Sequence, residues 1–175
     1  MNKKSKVIVL AGGYDQIALL NELKKRNYYT ILVDYYENPL AKPYADIHYE
    51  VSTLDTEKIK KIAIEENIDL ITTACTDQAL LSVSKISEEL NLPCYLSYET
   101  ALKVTNKMYM KNEMAKSGIP TAKYKVISND KEINFKEFNY PFVVKPCDCN
   151  SSKGVKKVYL FEDGIINIKE ALSLS

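Results

Sequence analysis

The sequence has few of the residues from which metal and nucleophilic sites are built. Its 175 residues include one histidine and four cysteines, of which only Cys147 and Cys149 are close in sequence. A structural zinc site uses about four such ligands, so we expect these two cysteines to be reduced and to bind no zinc. His48 lies in an alternating, strand-like stretch without a serine or cysteine that suggests a nucleophile–base pair, which favours a structural or exposed role.

An excess of charge and long apolar runs are also missing. There are 24 basic and 23 acidic residues, giving a formal charge of +1, which excludes the basic surface typical of proteins that bind nucleic acid or membranes. No apolar run approaches the roughly 20 residues of a membrane-spanning helix. Val7–Leu10, which follows a basic N-terminus, is too short for the core of a signal peptide. We therefore expect a cytoplasmic protein.

What the sequence does contain is a regular alternation of strand and helix patterns. The predicted strands are Lys6–Ala11, Thr30–Asp34, Ile47–Val51, Asp69–Ala74 and Pro93–Leu96. Predicted helices cover Asp15–Arg26 and Thr56–Asn67, and a third begins after Thr76 or Asp77. This alternation is typical of βαβ units. It predicts an α/β fold with a doubly wound, Rossmann-like parallel sheet over residues 1–97.

The pattern changes over residues 98–175, which we interpret as the beginning of a second domain. Two short helices are predicted, Tyr98–Val104 and Lys107–Ser117, and the glycine and proline at 118 and 120 end the second. The strands predicted after them are Ala122–Ile127, Pro141–Lys145 and Lys156–Phe161, and a helix opens at Asn167–Ser175. Closely spaced strands with little helix between them favour antiparallel pairing.

Small and polar residues follow the strands of the first domain. Gly12, Gly13 and Tyr14 follow the first strand, Asp34 ends the second, and Asp77 follows the fourth. Right-handed crossovers place these strand ends at one edge of the sheet, where we expect them to bind a small substrate. A dinucleotide fingerprint would need glycine at Tyr14, so such a site is not expected. The alternatives are a tight turn at the glycines and helix capping at Thr76–Gln78, and capping and binding can coexist.

A second group of candidate residues surrounds an apolar strand that ends in lysine. Lys145 and a proline close this strand, and a small polar loop follows. A strand-end lysine can place its ammonium on a phosphate, while backbone N–H groups and hydroxyls of the loop turn toward the same anion. Lys107, at a helix start, can approach from another side. The alternative is that Lys145 only keeps an edge strand soluble.

The order of these motifs resembles the start of an ATP-grasp ligase. The resemblance lies in Thr105–Thr121, which holds Lys107 and Gly-Ile-Pro, in Pro141–Pro146, and in Asn150–Gly154. It is strongest toward the branch that contains carbamoyl-phosphate synthase large chains and biotin carboxylase. The resemblance implies a pre-ATP-grasp domain over residues 1–97, followed by a truncated α+β ATP-grasp lid over residues 98–175.

The resemblance also implies a function. ATP-grasp ligases join a carboxylate to an amine or similar nucleophile through an acyl phosphate. The implied cofactors are ATP and Mg²⁺, the implied substrate is a small carboxylate, and we expect a homodimer. Magnesium ligands are expected after Ser175, so the 175-residue chain is expected to be inactive alone. The residues implied to bind ATP are Lys107, Lys145, Ser151, Ser152, Lys153 and Gly154.

Two other functions are compatible with the same residues. One is a non-catalytic binding module with a Rossmann-like fold, which holds a nucleotide or a small acid. The other is a structural or regulatory protein derived from such an enzyme.

Overall fold

The computed structural model describes residues 4–149 and 152–175. The chain divides into two compact units, Met1–Ala101 and Leu102–Ser175. In chain order, the first unit contains β1 (Lys6–Leu10), α1 (Tyr14–Lys25), β2 (Tyr29–Asp34), a 3₁₀ helix (Lys42–Tyr44), β3 (Ile47–Glu50), α2 (Thr56–Glu66), β4 (Leu70–Thr73) and α3 (Asp77–Leu90).

The first unit is built on a four-stranded sheet in the order β3-β2-β1-β4. Every pair in it is parallel, and Leu10 of β1 lies opposite Val33 of β2 and Thr73 of β4. The predicted parallel sheet is therefore confirmed. Because parallel strands all end on the same side, the turns that follow β1, β2 and β4 lie along one edge of the sheet.

Helices cover the two faces of the central strands. Ile8 shares a core cluster with Ile59 of α2 and Val83 of α3. Its neighbour Val7 points to the opposite face, since side chains alternate along a strand, and it lies in a second cluster with Leu20 of α1. Burial on both faces explains why β1 and β2 read as continuous apolar runs rather than as alternating ones.

The prediction of a fifth strand at Pro93–Leu96 is wrong. Residues 92–97 adopt no strand conformation in the structure. Pro93 has no N–H to donate to a ladder, and Cys94 packs against the core beside α3. The chain turns here toward the next helix, where the Thr100 N–H donates to the Ser97 hydroxyl over 3.2 Å.

The remaining elements are α4 (Tyr98–Thr105), α5 (Lys107–Lys116), a 3₁₀ helix (Asp130–Glu132), β5 (Phe142–Val144), β6 (Lys156–Val158) and α6 (Phe161–Leu174). Strands β5 and β6 pair antiparallel, as predicted. The predicted stop of α5 is also confirmed, because Gly118 adopts a left-handed φ of 67°. The N–H of Ile119 then reaches back to the carbonyl of Met114.

Two predictions for this part of the chain are wrong. Ala122–Ile127 forms no strand. Side chains hold this segment instead: the Tyr124 hydroxyl donates to Asn112 over 2.8 Å, and the Lys123 ammonium donates to the carbonyl of Glu137 over 2.6 Å. Helix α6 begins at Phe161 rather than at Asn167, because the two acidic residues of its first turn favour a helix N-terminus.

Within residues 4–149 and 152–175, every helix is too short or too polar to cross a membrane.

Candidate functional site

The structure brings Gly12 and Asp34 together at the carboxyl edge of the first unit's sheet. A Cβ atom on Gly12 would lie 3.3 Å from Asp34 Oδ2 and 2.5 Å from Pro39 Cβ. Glycine is therefore needed here for close approach, which agrees with the tight-turn interpretation. The Asp34 carboxylate is only 6% exposed, and its Oδ1 accepts the Tyr36 N–H over 2.8 Å.

A buried glutamine joins this turn to the one after β4. Gln16 is 2% exposed; its Oε1 accepts the Gly13 N–H over 2.9 Å, and its Nε2 donates to the Ala74 carbonyl over 2.5 Å. Tyr14, beside Gly13, is 78% exposed. Gln16 is not among the residues predicted from the sequence, although its position three residues after Gly13 is that of a capping side chain.

The predicted capping role of Thr76 is wrong. Thr76 occupies the N-cap position of α3, but its side chain makes no capping hydrogen bond. Its hydroxyl donates instead to the carbonyl of Ala74 over 3.1 Å. Asp77 is the exposed first residue of the helix and lies in the same turn. The turns after β1 and β4 each contain a left-handed residue that is not glycine, Ala11 and Cys75.

A cavity of about 590 Å³ opens in the second unit. Apolar and aromatic side chains form most of its wall, among them Val126, Phe135, Phe138, Phe142 and Ile168. Five lysines also line it, and none of the lining residues is acidic. These lysines are Lys107, Lys111, Lys123, Lys125 and Lys145. An apolar cavity lined by cations suits a ligand with an aromatic body and a negatively charged end.

The five lysines differ in their partners. Lys125 forms an ion pair with Glu137 at 3.0 Å, and Lys123 donates to the backbone of the same residue. Lys111 donates to the Thr121 hydroxyl. Among the described residues, no carboxylate pairs with Lys107, Lys111 or Lys145.

Lys107 holds the loop that follows β5. It is the first residue of α5, where the Asn106 side chain caps the helix. Its backbone N–H donates to the Cys147 carbonyl over 2.8 Å, and its ammonium donates to the Cys149 carbonyl over 2.7 Å. Lys145 comes directly after β5 and is exposed, without a hydrogen bond or ion pair in the part of the chain that the structure describes.

The charges of Lys107 and Lys145 both influence the pKa of the Cys147 thiol. Burial raises the pKa of Cys147, and the negative charge of Asp148 raises it further, while the positive charges of Lys107 and Lys145 act in the opposite direction. The two candidate phosphate-binding lysines thus act on one point of the loop. Because its pKa is raised, Cys147 is a neutral thiol at neutral pH.

The backbone conformation and the close packing of the predicted phosphate-binding loop require glycine at position 154. Gly154 adopts a left-handed φ of 70°, and a Cβ atom on it would lie 2.7 Å from Leu174 and 2.8 Å from Pro146. Ser152 and Lys153 are exposed beside it. Ser151, with Asn150, lies outside the described residues.

The described residues form no cluster of metal ligands. Within the described ranges, no three histidine, cysteine, aspartate or glutamate side chains are grouped so that they could hold a metal ion. Mg²⁺ is bound mainly by carboxylate oxygens together with water and substrate phosphates. We therefore assign no magnesium ligand among the described residues.

Curated proteins similar to this chain include enzymes named as a phosphoribosylglycinamide formyltransferase and as a phosphoribosylamine–glycine ligase. No family model matches the chain. A formate-dependent phosphoribosylglycinamide formyltransferase from Prochlorococcus marinus is 26% identical over 173 residues, which is 97% of this chain and 44% of that protein. The enzyme of the same name from Sulfurisphaera tokodaii is 28% identical over 96% of the chain and 43% of its own length. A phosphoribosylamine–glycine ligase from Pyrococcus furiosus is 27% identical over 87% of this chain and 36% of its own length.

Solved structures share the fold. An N5-carboxyaminoimidazole ribonucleotide synthetase in complex with ADP superposes with a TM-score of 0.77 at 21% identity, over 99% of this chain and 46% of that one. A phosphoribosylglycinamide synthetase from Anaerococcus prevotii superposes with a TM-score of 0.66 at 21% identity, over 99% of this chain and 43% of that one. The chain thus spans less than half the length of the proteins it matches. These relatives are ATP-grasp enzymes, so the predicted similarity to that family is confirmed; the narrower resemblance to carbamoyl-phosphate synthases stays a prediction.

Proposed function

We propose that the chain carries the ATP-binding lysines and part of the substrate site of an ATP-grasp ligase. The cavity of the second unit carries this proposal. Its aromatic wall suits a purine base. Lys107 and Lys145, which pair with no carboxylate of the described residues, suit the phosphates. The Ser152–Gly154 segment, whose first two residues are exposed, follows Lys145 closely in sequence and supplies hydroxyl and N–H donors that can close over the same phosphates.

The reaction proposed for the complete enzyme proceeds in two steps. A carboxylate oxygen attacks the γ-phosphorus of ATP, the bond to the β-phosphate oxygen breaks, and an acyl phosphate and ADP form. An amine then attacks the acyl carbon, loses a proton and expels inorganic phosphate, which leaves a carbon–nitrogen bond. Lys107 and Lys145 hold the phosphates in line and offset their charge. A magnesium ion bound to the substrate phosphates would offset further negative charge.

We place the second substrate at the carboxyl edge of the first unit. Gly12, Gly13 and Tyr14 border this edge with Asp34 and Asp77, and the carboxylates can accept hydrogen bonds from an amine or a hydroxyl. The names of the similar proteins point to formate or glycine as the acid and to a phosphoribosyl amine as the nucleophile. In the same proposal, residues 1–97 form a doubly wound pre-ATP-grasp domain and residues 98–175 form a truncated lid. The enzyme is proposed to be cytoplasmic and dimeric.

The experiment that tests this function is an assay of ADP release by the complete gene product. ATP and magnesium are supplied with formate or glycine, and with phosphoribosylglycinamide or phosphoribosylamine as the amine. We expect ADP release only when an acid and its amine are both present. A protein that binds ATP but releases no ADP with any pair contradicts the ligase proposal and favours a binding module.

A further inference from the structure

We infer that Gln16 is a positioning residue that fixes the geometry of the two turns at the substrate edge of the first unit. This inference rests on the proposed function, because it concerns the site where the second substrate would bind. Gln16 itself is almost fully buried, at 2% exposure. It acts through the backbone of the turns after β1 and β4 rather than by touching the substrate.

The first step of the argument is that the strand ladder ends before the two turns. The last pair between β1 and β4 joins Leu10 to Thr73, and the Thr73 hydroxyl adds a bond to the Leu10 carbonyl at 2.9 Å. Past this pair the chain leaves the sheet at two left-handed residues, Ala11 with a φ of 72° and Cys75 with a φ of 53°. The ladder therefore does not hold the turns together.

The second step is that Gln16 supplies the missing connection with both ends of its amide. The oxygen accepts from the Gly13 N–H at 2.9 Å. The nitrogen donates to the Ala74 carbonyl at 2.5 Å and to the Thr76 hydroxyl at 3.3 Å. A side chain with one acceptor and one donor end satisfies both turns at once, whereas ionised glutamate has no donor and methionine has only a weakly accepting sulfur.

The third step is that neither helix start at this edge is capped by the side chain of its own N-cap residue. Gly13, the N-cap of α1, has no side chain, and Thr76, the N-cap of α3, makes no capping hydrogen bond. The Gln16 amide is hydrogen-bonded to both of these residues, Gly13 and Thr76. Its amide therefore sets the relative placement of the two helix starts that border the candidate substrate site.

The expected consequence is a selective loss of substrate affinity. A shift of about an ångström in a binding group costs up to a hundred-fold in rate. For Gln16→Met in the complete protein we expect the KM of the amine substrate to rise roughly ten-fold. The KM of ATP should stay unchanged, because the proposed ATP cavity is lined only by residues of the second unit.

Two variants separate positioning from mere structural support. Gln16→Glu keeps the acceptor for the Gly13 N–H but loses the donor to Ala74, so the KM of the amine substrate should rise although length and volume are kept. Asn21→Met is the control, because it removes an amide from the exposed side of the same helix. It should change neither KM nor the midpoint of chemical unfolding.

The decisive experiment combines these kinetics with amide hydrogen exchange of the 175-residue chain, followed by NMR. In Gln16→Met, exchange at Gly13 and in the turn at Cys75 and Thr76 should accelerate, while Ile8 of the buried sheet stays protected. Unchanged exchange at both turns overturns the inference. Faster exchange with an unchanged KM for the amine also overturns it. If the wild-type protein has no ligase activity, the proposed function is wrong. The hydrogen-exchange result still decides whether Gln16 joins the two turns.

Discussion

At the residue scale, Lys145 is the most direct probe of the proposed ATP cavity. A charge-assisted hydrogen bond contributes about 1.5–3 kcal/mol, so in the complete protein Lys145→Ala should raise the KM of ATP roughly ten- to a hundred-fold. Stability should change little, since Lys145 is exposed and has no hydrogen bond or ion pair to the described residues. Steady-state kinetics at varied ATP and a urea unfolding curve measure the two effects.

Lys157 provides the matched control for Lys145. It lies on β6 opposite Val143 of β5, is also exposed, and does not line the cavity. Lys157→Ala should leave the KM of ATP unchanged. An equal rise in KM for both variants would mean that general positive charge, rather than the place of Lys145, attracts the nucleotide.

Gly12 gives a second prediction at this scale. Gly12→Ala places a methyl group within 2.5 Å of Pro39 Cβ, and overpacking of this kind costs about 1–3 kcal/mol of unfolding free energy. Gly13→Ala meets only the Gln16 Oε1, at 3.2 Å, which is the end of a flexible side chain. Thermal unfolding should therefore show a larger fall in Tm for Gly12→Ala than for Gly13→Ala. Equal falls would contradict the close-approach interpretation.

Single residues also show how far the sequence predicts the site. Lys107 and Lys145 were predicted because each lies within a short motif, and the structure places both on the wall of one cavity. Gln16 was not predicted, because its partners Ala74 and Thr76 are 58 and 60 residues away in the chain. A contact of that range depends on which strands are neighbours. The sequence pattern predicts strands but does not identify the bond that joins their ends.

At the scale of elements, one contact joins β3 to the end of α2 and makes a prediction about pH. The Tyr49 hydroxyl donates to Glu66 over 2.7 Å, and this bond, followed by burial, raises the pKa of Tyr49 to about 12. Glu66 also pairs with Lys6 of β1 at 2.7 Å. A raised folded-state pKa means that the stabilisation is complete below the ordinary tyrosine pKa near 10 and is lost as the pH rises toward 12.

Tyr49→Phe tests this linkage. We expect the free energy of unfolding to fall by about 1 kcal/mol at neutral pH, and the difference from the wild type to shrink as the pH rises from about 10 to 12. Urea unfolding followed by circular dichroism over this range measures it. Tyr44→Phe, at an exposed tyrosine, is the control and should show no pH-dependent difference. A constant difference for Tyr49→Phe at every pH would contradict the role of the proton.

The elements that were predicted wrongly have a common physical cause. Pro93–Leu96 and Ala122–Ile127 have the apolar content of short strands, but a strand needs a partner as well as a pattern. Neither segment pairs with another in the described part of the chain. The strands β1 and β2 were predicted correctly because their burial on two faces gives an unbroken apolar run that short loop segments lack.

At the scale of the whole molecule, exposed apolar side chains predict self-association. Leu160, Phe161 and Ile166 follow one another closely in the second unit and are 62%, 48% and 63% exposed. Large apolar side chains exposed to water favour burial against another molecule. Sedimentation velocity should show a dimer or larger species that dissociates on dilution, and Leu160→Glu combined with Ile166→Glu should weaken it. A monomer at the highest soluble concentration would contradict this prediction.

The most direct test of the central claim is to locate ATP on the chain itself. A ¹⁵N-labelled sample of the 175 residues is titrated with ATP, and amide chemical shifts are followed by NMR. We predict shifts that saturate at Lys107 and Val144 of the cavity wall and at Gly154, which packs against Pro146, and that weaken in Lys145→Ala. Shifts confined to Gly12, Gly13 and Asp34, unaffected by Lys145→Ala, would contradict the account, because they would place the nucleotide at the sheet edge of the first unit.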